Sequence, residues 1–82
     1  MTGEQWIEAF GQTIGLPTPG QDEVDAILEL AATAAHASER TAAPVAAWLA
    51  GSSGRSLHEI NELARQVANG ERGAEGSSAE GE

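Results

Sequence analysis

Between Asp22 and Ser38, the residues Val24, Ile27, Leu28, Ala31, Ala34 and Ala35 recur in steps of three and four, the period that sets side chains on one face of an α-helix. A stripe that long must be covered, so the remainder of the chain has to supply helices that pack on it. Asp22, Glu23 and Asp25 crowd the first turn, where the helix dipole favours negative charge, and Arg40 follows the far end, where it favours positive charge. The second half of the stripe is alanine, which lets a neighbouring helix approach closely, and Trp48 is expected to fill the space that remains.

Three further helices are legible around this one. Thr2 and Gln5 have the spacing of a capping box, and Trp6, Ile7, Phe10 and Ile14 then form an apolar face over Gly3 to Ile14 that is expected to pack inward. Gly15 suits the left-handed turn that ends a helix, and Pro17, Pro19 and Gly20 prevent its resumption. Pro44 suits the first position of a short third helix running to about Ala50, with Val45, Trp48 and Leu49 on its apolar side and Gly51-Ser52-Ser53-Gly54 as its terminator. Ser56 and Glu59 repeat the capping-box spacing ahead of a fourth helix whose buried side is Leu57, Ile60, Leu63, Ala64 and Val67, closed by Gly70. No segment alternates as a strand would. The fold class expected is all-α: a compact, irregular four-helix array over residues 1–70, its third helix short, followed by a disordered acidic tail over 71–82, where alanine is the only apolar residue type.

Composition removes several functions. The chain carries 13 acidic and 4 basic residues, all four of them arginine, for a net charge of −9. Nucleic-acid binding draws its affinity from neutralised phosphates, and four scattered arginines on an acidic body make no such patch. No apolar run approaches the roughly 20 residues of a membrane span. The N-terminus lacks the basic start and apolar run of a secretory signal, so a cytoplasmic protein is expected. With no cysteine, lysine or tyrosine, and with its serines in loop or capping positions, the chain has no expected nucleophile or catalytic residue. No cofactor and no metal are expected.

The densest polar cluster is His36, Glu39 and Arg40, spaced i, i+3 and i+4 at the end of the second helix. One reading is structural: His36 and Arg40 stabilise free carbonyl groups at the helix end, and Glu39 pairs with one of them. The other is recognition, with Arg40 offering a planar fork to a carboxylate or phosphate and His36 a titratable contact. Arg55, in the loop ahead of the fourth helix, is a rival anion anchor. Trp6 and Trp48 are expected in the core, the alternative being an exposed recognition surface.

The segments Trp6-Ile7-Glu8-Ala9-Phe10, Asp25-Ala26-Ile27-Leu28-Glu29-Leu30-Ala31, and His36-Ala37-Ser38-Glu39-Arg40-Thr41-Ala42-Ala43-Pro44 through Trp48-Leu49-Ala50-Gly51 together resemble a small actinobacterial domain of unknown function. That domain is found alone or joined to the C-terminal side of molybdenum cofactor guanylyltransferases of the MobA type. The resemblance covers nearly everything except the tail and implies a setting in molybdopterin metabolism. The glycine-rich catalytic segment of a guanylyltransferase is missing. The expected function is therefore a non-catalytic accessory or interaction module. Its partner, a molybdenum cofactor biosynthesis protein, is expected to meet the surface around His36, Glu39, Arg40 and Arg55. The alternatives are binding of a small anionic ligand such as a phosphorylated pterin or nucleotide, and a purely structural or oligomerisation role. A monomer or weak homodimer is expected.

Overall fold

Local chemistry sets the helix boundaries in the computed structural model, which describes residues 1–70; the disordered tail expected over 71–82 lies outside the described residues. Helix α1 spans Gly3–Ile14 and opens on the expected capping box: the Thr2 hydroxyl accepts the Gln5 N–H, and the Gln5 side chain accepts the Thr2 N–H. Its end is a Schellman turn. Gly15 takes φ 82°, its N–H donates to the Gln12 carbonyl, and the Leu16 N–H donates to that of Gly11 at 2.8 Å. Helix α2 spans Gln21–Ala37, and its Glu23 carboxylate reaches back to accept the Gly20 N–H.

Helix α3 spans Ala42–Ser53, two residues earlier and three later than the sequence pattern suggests, though still shorter than the 17-residue α2. Its start is set by a tight turn in which the Ala42 and Ala43 N–H groups donate to the Glu39 and Arg40 carbonyls. Pro44 is thus its third residue rather than its first. It costs no hydrogen bond there, because the opening N–H groups of a helix have no intrahelical acceptor. Gly51, Ser52 and Ser53 belong to the helix, and the terminator is Gly54 alone, at φ 76°. Helix α4 spans Leu57–Ala68, with the Ser56 hydroxyl accepting the Glu59 N–H. The Glu59 carboxylate turns to Arg55 instead of completing a capping box.

The result is an all-α array of four helices, irregular in packing, with no strand among the described residues. Helix α2 is its axis, touching both α3 and α4 extensively, while those two touch each other little. The four-residue turn after α2 brings α3 back antiparallel. The pairs Asn61 with Ala26 and Arg65 with Glu29 show that α4 runs parallel to α2. The centre is formed by Leu30, Ala50 and Asn61, one from each of these helices and each at most 8% exposed. Burying Leu30 contributes roughly 1.5 to 3 kcal/mol.

Several packing expectations are corrected. Trp48 does not fill space beside the α2 alanines: it is 70% exposed. The inward residues of α3 are Ala43, Ala46, Ala47 and Ala50, which leaves Trp48 on the outward side of the helix. Nor does α1 pack inward. Trp6, Ile7, Phe10 and Ile14 are all exposed, Trp6 to 55%, and α1 makes little contact with the other helices. Its two aromatics stack on one another instead, ring centroids 5.0 Å apart. On α2 the enclosed residue is Leu30 and not Leu28, and on α4 Val67 is exposed while Asn61 is enclosed. Because α2 must serve two neighbours, its inward surface is wider than a single stripe.

Candidate functional site

The divergence of α3 from α4 defines the main surface feature. Helix α3 ends and α4 begins at the same short connection, Gly54 to Ser56, and both lean on α2, but they separate toward the C-terminal end of α2. Between them lies a groove of about 580 Å³, floored by Leu30 and Ala34 and walled by Ala46 and Leu49 on one side and Leu63 and Val67 on the other. Its surface is overwhelmingly apolar. A smaller cavity of about 310 Å³, bordered by Ile27, Ala47 and Leu57, sits at the closed end. Val67 and Leu49 line the groove and are exposed because it is open.

The sequence-predicted polar residues lie around this groove. Ala37, Ser38 and Ala42 line its wide end, which places the turn holding Glu39 and Arg40 there, with His36 one residue inside α2. The three side chains do not share a helical face, as the i, i+3, i+4 spacing suggests they should. Helix α2 stops at Ala37, where the Ser38 N–H and hydroxyl both donate to the Ala34 carbonyl, and Glu39 and Arg40 fall in the turn beyond. All three are exposed, and among the described residues none of their side chains has a hydrogen-bond or ion-pair partner. The carboxylate partner expected for Arg40 or His36 is therefore not Glu39.

Arg55 sits at the opposite, narrow end and borders both the groove and the smaller cavity. Its guanidinium is held by Glu59, one helical turn along, so it presents a neutralised pair rather than a bare cation. Arg65 binds Glu29 across the α2–α4 seam at 2.8 Å. Of the three arginines described, Arg40 is the one without a carboxylate on it. His58, the second histidine, faces Glu62 at 3.6 Å on the exposed side of α4. Among the described residues no three or more His, Asp or Glu side chains gather as metal ligands would.

Sequence reasoning missed Asn61. Its side-chain amide donates to the carbonyls of Ala26 and Leu57, each at 3.1 Å, and so ties α4 to α2, while its Oδ1 is buried with no partner among the described residues. The signal was present, since Asn61 sits one residue after Ile60 and three before Ala64, inside the apolar face. Sequence reasoning also missed the groove itself. The pattern puts Leu63 and Val67 on the buried side of the fourth helix and Leu49 on the apolar side of the third, whereas all three are walls of an unfilled cleft.

A small all-α domain carrying an open apolar cleft, with an arginine at the cleft's wide end that has no carboxylate partner among the described residues, is the class that this geometry defines. Over residues 1–69 the chain matches a family model described as a domain of unknown function, DUF6457, and it belongs to that family. Neither a curated protein nor a solved structure matches it.

Proposed function

We propose that this domain is a non-catalytic protein-interaction module that receives its partner in the cleft between α3 and α4. The observation that carries the reading is the cleft itself, because an apolar channel of about 580 Å³ left open in so small a domain is surface that a folded chain normally buries. Recognition sites of this form combine an apolar centre with a polar rim. In this reading the rim consists of His36, Glu39 and Arg40, which adjoin the lining residues Ala37, Ser38 and Ala42 in sequence, and of the Arg55–Glu59 pair at the other end. The resemblance to the actinobacterial domain joined to MobA-type guanylyltransferases supports a molybdenum cofactor biosynthesis protein as partner, in the cytoplasm.

The test is binding of a purified MobA-type guanylyltransferase to the wild-type chain and to Leu63→Glu and Arg40→Ala. The reading expects Leu63→Glu to abolish binding and Arg40→Ala to weaken it by about 1.5 to 3 kcal/mol, the range for a charge-assisted hydrogen bond. Binding that ignores both substitutions overturns it. A second reading is favoured by one observation, the guanidinium of Arg40 standing without a carboxylate among the described residues: the wide end takes a small anion such as a phosphorylated pterin or nucleotide. Chemical-shift changes at Arg40 on adding the nucleotide alone, with no protein partner, distinguish it.

A further inference from the structure

Besides the outward Leu28, Val45 and Trp48, two larger apolar surfaces stand open in this chain, and they are similar in length. The first is the exposed stripe of α1, formed by Trp6, Ile7, Phe10 and Ile14. The second is the cleft just described. From Trp6 to Ile14 the helix rises about 12 Å, and the α2 floor of the cleft from Leu30 to Ala37 rises about 10 Å. The stacked Trp6 and Phe10 rings already form a wedge of the kind that anchors protein interfaces.

We propose that the cleft receives α1 of a second copy of this chain, and that the exchange is reciprocal. The proposal rests on the reading of the cleft as a docking surface and names what fills it in the absence of the partner protein. Area supports it. The exposed parts of the four α1 side chains amount to roughly 400 Å², given the 150 to 250 Å² an aromatic side chain can bury. With the smaller exposed surface of the cleft added and the sum counted twice by symmetry, the exchange buries roughly 1,100 Å², just above what a specific interface needs. Twofold exchange is also closed, because each copy uses its one helix and its one cleft. The connection Gly15–Gly20, six residues with Pro17 and Pro19 in it, gives α1 a stiff arm that holds it off its own body.

The experiment is sedimentation equilibrium of the full chain from micromolar to millimolar concentration, together with Phe10→Glu and Leu63→Glu. The expected result is a concentration-dependent dimer that each substitution abolishes. Because Leu63→Glu risks unfolding, cross-linking supplies a second measurement. The chain has no cysteine, so Phe10→Cys and Leu63→Cys chains mixed and oxidised should form a disulfide-linked heterodimer, with little homodimer from either chain alone. A chain that is monomeric throughout and does not cross-link overturns the proposal. So does an intramolecular disulfide in a monomeric Phe10→Cys, Leu63→Cys double variant, which would show α1 closing on its own cleft. In either case, binding of the guanylyltransferase that still depends on Leu63 would leave the interaction reading standing. If that binding is also insensitive to Leu63→Glu, both fall.

Discussion

Helices α1 and α4 are built alike. Each has 12 residues, each is opened by a hydroxyl side chain, Thr2 or Ser56, and each concentrates its apolar residues on one face. Yet α4 is fixed to α2 and α1 is not. Two differences account for this. The connection ahead of α4 is three residues long and starts from the left-handed Gly54, which aims α4 back along α2, whereas six residues and two prolines separate α1 from α2. The contact faces also differ in size. Helix α4 offers Asn61 and Ala64 at its seam, small enough for close approach, and Asn61 donates to a carbonyl of α2. Helix α1 offers only large side chains, and its one small residue facing inward, Gly11, is enclosed by the carbonyl of Leu16 rather than by another helix. An amphipathic pattern therefore says that a helix has a face to bury, and says nothing about where the covering surface is.

Truncation in the body and in α1 should show this contrast at its largest. Leu30 is 4% exposed and is shared between both seams of α2, so Leu30→Ala should remove about 3 to 5 kcal/mol. In a domain of this size that loss is enough to unfold much of the population at room temperature. Phe10→Ala, measured by urea denaturation at concentrations where the chain is monomeric, should change stability by no more than about 0.5 kcal/mol. A loss comparable to that of Leu30→Ala would mean that α1 is docked within its own chain, and the comparison would break.

Asn61 gives the next largest effect and sharpens the account of why α4 is held. Asn61→Asp places a carboxylate against the Ala26 and Leu57 carbonyls in a site that is 5% exposed, and should cost about 2 to 3 kcal/mol. Burial penalises the charged form, which raises the carboxyl pKa in the folded state. The penalty should therefore be small below the unfolded value of about 4 and grow as pH rises past it, which a urea series at several pH values would read. Asn61→Leu should be neutral or slightly stabilising, since it removes an Oδ1 with no partner among the described residues and keeps the volume. If Asn61→Leu instead loosens α4, the amide bond to Ala26 matters more than the packing around it.

The caps give a smaller effect of the same kind. Ser56→Ala should cost the whole body about 1 kcal/mol, whereas Thr2→Ala should leave the body unchanged and only increase fraying of α1. Hydrogen exchange separates the two, because amides of α1 should exchange through local opening and those of α4 through opening of the body. Equal protection of both helices in monomeric protein would contradict the structure described.

How much of this was legible in the sequence follows from what each signal measures. Thr2, Gly15, Ser56 and the proline-rich connection act through backbone geometry within a few residues, and they placed α1, α2 and α4 to within a residue or two. Helix α3 was placed less well because it is apolar nearly all round: with Ala, Val, Trp and Leu on every side, periodicity could not say that the alanines face α2 and Trp48 faces out. The same ambiguity hid the cleft, since Leu49, Leu63 and Val67 carry the pattern of core residues whether or not anything covers them. His36, Glu39 and Arg40 were found as a cluster because the charge is sparse, but their geometry depended on α2 stopping at Ala37, which Ser38 decides.

The smallest expected effect concerns the one ion pair that crosses the α2–α4 seam. Arg65 and Glu29 meet at 2.8 Å, but both side chains are about half exposed, so water and salt screen the attraction and side-chain entropy opposes it. A double-mutant cycle with Arg65→Gln and Glu29→Gln should yield a coupling of about 0.2 to 1 kcal/mol that shrinks as salt is raised. Arg65 also lies 3.8 Å from Glu62, so Arg65→Gln alone should cost more than Glu29→Gln, which leaves that second carboxylate in place. A coupling several times larger would mean that α4 is held to α2 mainly by charge. In that case α1, which has no base to offer Glu29 or its neighbours, would stay undocked for want of a cation and not for want of a matching surface.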